Sequence, residues 1–147
     1  MIFKPFDESL KTEFDVKARE VAKLHFSSLG YIVEDHPDKY EVDLVLRDQN
    51  NKLLGYLELE TRPTWVATVF PFSNINIPKR KEKLLRNLEN IPVGYILFNG
   101  NYSCGYYLHA SDILNSPVKM LKNRYLSEDE YFYVVDLDKA KFFNVSF

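Results

Sequence analysis

The chain has little cysteine, little net charge and no long apolar run, and each shortage closes off a class of function. Its single cysteine, Cys104, excludes an internal disulfide and a cysteine-built zinc cluster. Cys104 lies in Tyr102-Ser103-Cys104-Gly105-Tyr106, which reads as a strand, so a buried thiol is expected rather than a nucleophile. A formal net charge of −2 argues against a protein that coats nucleic acid by charge alone. It leaves room for an enzyme that grips a backbone locally while a carboxylate site pulls the total down. No apolar run approaches the roughly 18 residues of a membrane span, so no membrane partner is expected. The start Met1-Ile2-Phe3-Lys4-Pro5 lacks a signal-peptide layout, and a reducing cytoplasm is the expected location. Repeats, low-complexity tracts and long linkers are missing too. The three histidines, His25, His36 and His109, are scattered and suggest no metal triad.

A length of 147 residues fits one domain, with a core over about 12–110 and a C-terminal extension over about 111–147. Aromatics are plentiful at 15%, with 11 Phe, 10 Tyr and 1 Trp. A Phe-rich core and a base-stacking surface would both account for them.

Apolar periodicity predicts a helix from Ser9 to Leu29, with Phe14, Ala18, Val21, His25 and Leu29 on one face. Thr12 with Asp15 is the expected N-terminal cap pair and Gly30 the stop. His25 on that face is expected to be a hydrogen-bonded core residue. Strands follow at Tyr31–Glu34, Glu41–Arg47 and Lys52 to about Thr61, the last two joined by the polar turn Asp48–Asn51. Trp65 to Ile77 reads as a short strand or ordered loop. Pro78 suits the first turn of a helix over Lys79–Asn90, with Leu84, Leu85 and Leu88 inward. Strands at Val93–Phe98 and Ser103–His109 flank the turn Asn99-Gly100-Asn101. A short helix around Val118–Leu126 and strands at Tyr131–Leu137 and Lys141–Val145 complete the expectation. The fold class is therefore α/β in the α+β sense, a mixed sheet with helices against it. The aromatic tail after Glu128 is expected either to close a sheet edge or to make a dimer.

The third strand carries the strongest chemical signal. In Leu53 to Arg62 side chains alternate, so Leu53, Leu57 and Leu59 point to one face, taken as the core. Glu58, Glu60 and Arg62 point to the other. Residues two apart lie about 7 Å apart along a strand, and two carboxylates that close repel unless a cation or a proton intervenes. Asp43 in the preceding strand converges on them across the hairpin. Three oxygen-donor acids, Asp43, Glu58 and Glu60, suit a hard cation, Mg²⁺ or Mn²⁺. A strand alternating Leu and Glu is ordinarily half-solvated with its acids in water, and on Glu58 and Glu60 alone that reading stands. Lys79, Arg80, Lys81, Lys83 and Arg86 give the second helix a basic stretch that either contacts backbone phosphates or is a solvated face laced with Glu82 and Glu89. Trp65 could stack on a base, although packing is the simpler role.

A helix, three strands with an Asp at the second and an acid pair in the third, then a helix and a strand resembles the PD-(D/E)XK nuclease core over about Thr12 to Phe98. The resemblance implies a restriction-endonuclease-like α-β-β-β-α-β core with an additional C-terminal helix and strands. It implies a metal-dependent nuclease that hydrolyses phosphodiester bonds, a DNA endonuclease first, with a homodimer left open. The alternative is a catalytically inactive nuclease-fold module that binds nucleic acid or protein. Carried over, Asp43 matches the family's Asp, Glu58 its first acid and Glu60 the position usually held by Lys. Fifteen residues separate Asp43 from Glu58, which fits the hairpin. The positive charge that the family draws from Lys would come from Arg62, Lys79 or Lys81, and Glu60-Thr61-Arg62 can also be read as the motif with Arg in place of Lys. Pro37-Asp38 is a literal PD pair in a turn, less well placed than Asp43. In the first helix Glu20 is the acid that would face such a site.

Overall fold

The computed structural model describes residues 8–38, 41–86, 90–122 and 129–146. A helix, α1 (Glu8–Ser28), is followed by three strands, β1 (Ile32–Asp35), β2 (Leu44–Arg47) and β3 (Leu53–Arg62). Then come β4 (Asn74–Pro78), a 3₁₀ turn (Lys79–Lys81) and the short helix α2 (Glu82–Arg86). The strands β5 (Val93–Asn99) and β6 (Cys104–His109), the helix α3 (Ala110–Leu114) and the strands β7 (Val118–Lys122), β8 (Asp129–Asp136) and β9 (Lys141–Asn144) finish the chain. The fold is mixed α/β.

Helix α1 buries Ala18, Val21, Ala22 and His25, the three-and-four spacing of an amphipathic helix. It stops because Gly30 takes φ +97°, a left-handed conformation that glycine adopts without a Cβ clash. Two expectations fail here. Thr12 lies inside the helix rather than at its cap, because α1 starts at Glu8. Leu29 falls beyond the last helical turn and is exposed instead of completing the apolar face.

The main sheet has six strands in the order β1-β2-β3-β5-β6-β9. Its first three strands form antiparallel hairpins. The β2–β3 turn is held by the Asp48 carboxylate, which accepts from the backbone N–H groups of Asn50 and Lys52, each at 2.9 Å. Strand β3 then pairs parallel with β5, in a register that sets Glu58 beside Tyr95 and Glu60 beside Leu97. Every residue of β5 is buried, as a near-continuous apolar run covered on both faces should be. Strand β9 pairs with β6 and makes the far edge, so part of the aromatic tail does close the sheet.

A second sheet of three strands, β4-β8-β7, lies over one face of the first. Its inward residues Ile75, Ile77, Tyr133 and Val135 share a core with Tyr95, Leu97, Cys104 and Leu108, and with Leu85 and Ile113 from α2 and α3. Helix α1 covers the opposite face through Ala18, Val21, Leu44, Leu57, Ile96 and Phe98. Both faces of β3 therefore carry core. The expectation that only the Leu53/Leu57/Leu59 face is buried is corrected by this second layer.

Two further elements differ from expectation. Residues 118–122 form β7, a strand paired with β8, where a helix over Val118–Leu126 was expected; 123–126 lie outside the described residues. Pairing with the β-branched and aromatic β8 outweighs the local helical preference of Met, Leu and Lys. The helix expected over Lys79–Asn90 starts later, at Glu82, and 87–89, with Leu88 and Glu89, lie outside the described residues. Pro78 ends β4 and precedes the 3₁₀ turn.

Candidate functional site

Asp43, just ahead of β2, and Glu58 of β3 meet where the main sheet passes under the 3₁₀ turn. Asp43 precedes β2, and its Oδ2 accepts from the backbone N–H of Leu59 at 2.8 Å, pinning the carboxylate against β3. Its Oδ1 faces the Arg19 guanidinium of α1 at 3.4 Å. Glu58 points from β3 toward the second layer and is 3% exposed, which excludes the simple solvated strand face for this residue. Lys81, reaching from the 3₁₀ turn, closes on Glu58 with Nζ to Oε2 at 2.7 Å. Burial pushes the Glu58 carboxyl up to about 8, with the Asp43 charge and a hydrogen bond to Asp43 acting the same way and Lys81 opposing. A carboxyl out of water beside a second carboxylate keeps its proton at neutral pH.

Glu60 is on the same face but is engaged elsewhere. It accepts from the Tyr95 hydroxyl and from Arg62 Nε. The Arg62 guanidinium also donates to the Asn76 carbonyl at 2.6 Å, tying the end of β3 to β4. Tyr95 is fully buried, and its phenol is held well above its ordinary range by burial first and then by Glu60. Asp43, Glu58 and Lys81 therefore form one group, and Glu60, Arg62 and Tyr95 a second one further along the strand. Among the described residues no group of three or more His, Cys, Asp and Glu is placed to hold a metal ion.

The basic stretch is mostly paired. Lys79 and Arg86 both reach Glu82, at 3.3 and 2.7 Å, and Arg80 pairs with Glu130 of β8. Lys83 is exposed and has no ion pair among the described residues. Glu20 is exposed on α1, whereas its neighbour Arg19 faces Asp43. Pro37 and Asp38 sit in the turn after β1, where the Asp38 N–H donates to His36 Nδ1 at 3.0 Å. His25 Nδ1 accepts from the Ser146 N–H at 2.9 Å, and its ring packs on Phe143 at 4.8 Å, as a core histidine does. Trp65 is buried between Phe70 and Tyr106, so packing is its role. Cys104 is buried, and burial raises its thiol.

Arg19 and Tyr95 take part in these groups without having been expected. The only trace of Arg19 is its place beside the buried Ala18–Ala22 face. Tyr95 shows as the one phenol in an otherwise aliphatic and Phe-bearing strand, Val93 to Phe98. No helix among the described residues is long and apolar enough to cross a membrane. Comparisons with protein-family models, curated proteins and solved structures found no match.

Proposed function

We propose that this chain is a divalent-metal-dependent phosphodiester hydrolase acting on DNA, with Asp43 and Glu58 as the metal-binding carboxylates and Lys81 as the positive group of the site. The observation that carries the reading is the buried Glu58 carboxyl, set against Asp43 and 2.7 Å from Lys81. Two carboxylates forced together out of water are costly, and a divalent cation between them removes the cost. Magnesium is commonly held by one or two carboxylates with water in its remaining positions, so the pair fits the ion without a third acid. When bound, the ion would lower the pKa of a water and stabilise charge developing on a phosphate.

The protein's own residues have distinct tasks in this reading. The Leu59 N–H fixes Asp43, and Arg19 offsets its charge. Lys81 offsets negative charge beside Glu58 and on an approaching phosphate, and it stands in for the lysine that, by the PD-(D/E)XK resemblance, lies two positions after Glu58 and helps to orient or activate the attacking water. Arg62 is less suited to it, being held by Glu60 and the Asn76 carbonyl. The order α1, three antiparallel strands and, after β4 and α2, a β5 parallel to β3 supports the reading. Lys83 and the exposed flanks of Lys79, Arg80 and Arg86 offer contacts to backbone phosphates.

A second reading, a nuclease-fold module that binds without cleaving, is favoured by one feature: Lys81 already occupies the Glu58 oxygen. Cleavage of plasmid and single-stranded DNA with Mg²⁺ or Mn²⁺ separates the two. Nicking that depends on metal and disappears in Asp43→Ala and Glu58→Ala supports the hydrolase. No cleavage with either metal supports the module.

A further inference from the structure

Beyond Glu60, the row of polar residues on β3 ends at Arg62, and Arg62 opens a cleft of about 260 Å³ whose other walls are Phe70, Phe72, Ser73, Asn74 and Asn76. Phe72 is 67% exposed on its rim. It is not adrift. Its ring meets Phe70 edge-on at 5.7 Å, and Phe70 is buried edge-on against Trp65 at 5.1 Å, so a packed aromatic cluster supports it. Asn74 and Asn76 alternate with the buried Ile75 and Ile77 on β4, which turns both amides away from the core. Neither side-chain amide meets a hydrogen-bond partner among the described residues.

A flat apolar ring beside two unused amides, a hydroxyl and a guanidinium is what an unpaired nucleobase needs: a face to stack on and donors and acceptors for its edge. Lys119, Asp112, Asp136 and Lys139 around a larger cleft of about 450 Å³ on the outer side of the second sheet carry both signs of charge, with no aromatic ring in its lining, and point to no one ligand. Arg62 is four residues along β3 from Glu58, about 13 Å at roughly 3.3 Å per residue, a span that the sugar–phosphate chain of an extended single strand crosses within a few nucleotides. We infer that the Arg62–Phe72–Asn76 cleft takes an unpaired base of single-stranded or locally opened DNA lying across the Asp43–Glu58 site. The inference rests on the hydrolase reading for its substrate, and its test does not need cleavage.

Binding of a short fluorescein-labelled single-stranded DNA, and of the same sequence as a duplex, is measured by anisotropy in EDTA. The inference expects tighter binding of the single strand, a loss of about ten-fold in Phe72→Ala, and affinity near wild type in Phe72→Tyr. Circular dichroism checks that the exposed substitutions leave the fold intact. Single-strand affinity unchanged in Phe72→Ala, or wild-type protein that prefers the duplex or binds neither, overturns it. Metal-dependent cleavage by wild type with an unchanged Phe72→Ala would sink the base cleft and leave the hydrolase standing. A Phe72-dependent affinity in a protein that never cleaves would do the reverse.

Discussion

Replacing Glu58 with glutamine keeps the shape of the side chain and removes its ability to ionise. The native carboxyl holds its proton up to about 8, whereas an exposed one in the unfolded chain loses it near 4.5. Across that window the native state binds more protons than the unfolded state, so raising the pH through it destabilises the wild-type fold. Each pH unit is worth about 1.4 kcal/mol, so Glu58 alone removes about 3 kcal/mol by pH 7 and up to about 5 kcal/mol by pH 8. Glutamine cannot ionise and escapes the loss. Urea unfolding of both proteins at pH 5, 7 and 8.5 isolates the residue, because every other titrating group is common to the two. The expected result is near-equality at pH 5, within about 1 kcal/mol for the exchanged hydrogen bond, and a Glu58→Gln protein several kcal/mol more stable at pH 8.5. Profiles that run parallel across the range would mean that Glu58 is ionised in the native protein at neutral pH, and the account of a proton-holding acid pair would be refuted.

Four other outcomes follow from the same structure. Lys81→Met is expected to abolish metal-dependent cleavage of plasmid DNA while costing about 1 kcal/mol of stability in urea unfolding, since it removes one hydrogen bond to a largely protonated carboxyl. Tyr95→Phe deletes the buried hydroxyl that serves Glu60 and should cost about 1–3 kcal/mol by the same measurement. Gly100→Ala should cost about 3 kcal/mol, because an added Cβ presses on the backbone carbonyl of Pro63 in a packed turn. Burial lowers the His25 pKa from 6.5, so the unfolded state takes up the proton first and stability falls as the pH drops below 6.5; His25→Gln should flatten that acid limb in pH-dependent thermal melts.

Local pattern carried the first half of the fold well. The apolar spacing of Phe14, Ala18 and Val21 marks α1, and the runs at Val42–Arg47 and Val93–Phe98 mark strands that the main sheet uses. What failed was whatever depends on distant partners. Val118-Lys119-Met120-Leu121-Lys122 suits a helix by composition and is a strand because β8 lies beside it. The same second sheet turns the acid face of β3 from a water-facing surface into a covered one, and no property of Leu57-Glu58-Leu59-Glu60 announces a layer supplied by residues 74–78, 118–122 and 129–136. The convergence of Asp43 and Glu58 was legible because the β2–β3 hairpin brings the residue before β2 back against β3. The choice among Arg62, Lys79 and Lys81 was not, since it depends on which cation the turn after β4 swings toward β3. Arg19 rather than Glu20 faces the pair, a difference of one residue that helix rotation decides.

The order in which the second sheet is joined has a consequence for the living chain. Strand β4 leaves the ribosome early, but its sheet partner among the described residues, β8, is encoded some fifty residues later, with Ile75 waiting for Val135 and Ile77 for Tyr133. Domains are translated at about 5–20 residues per second, so for several seconds Ile75 and Ile77 have no lid and Lys81, which follows β4 directly, has no fixed anchor. A nascent or truncated chain ending before Asp129 would carry both acids yet lack the clamp that sets the lysine against them. The acidic centre then matures only once β8 has been made, well after both of its acids are in the chain, and a chain that stops short of β8 is left with Ile75 and Ile77 uncovered.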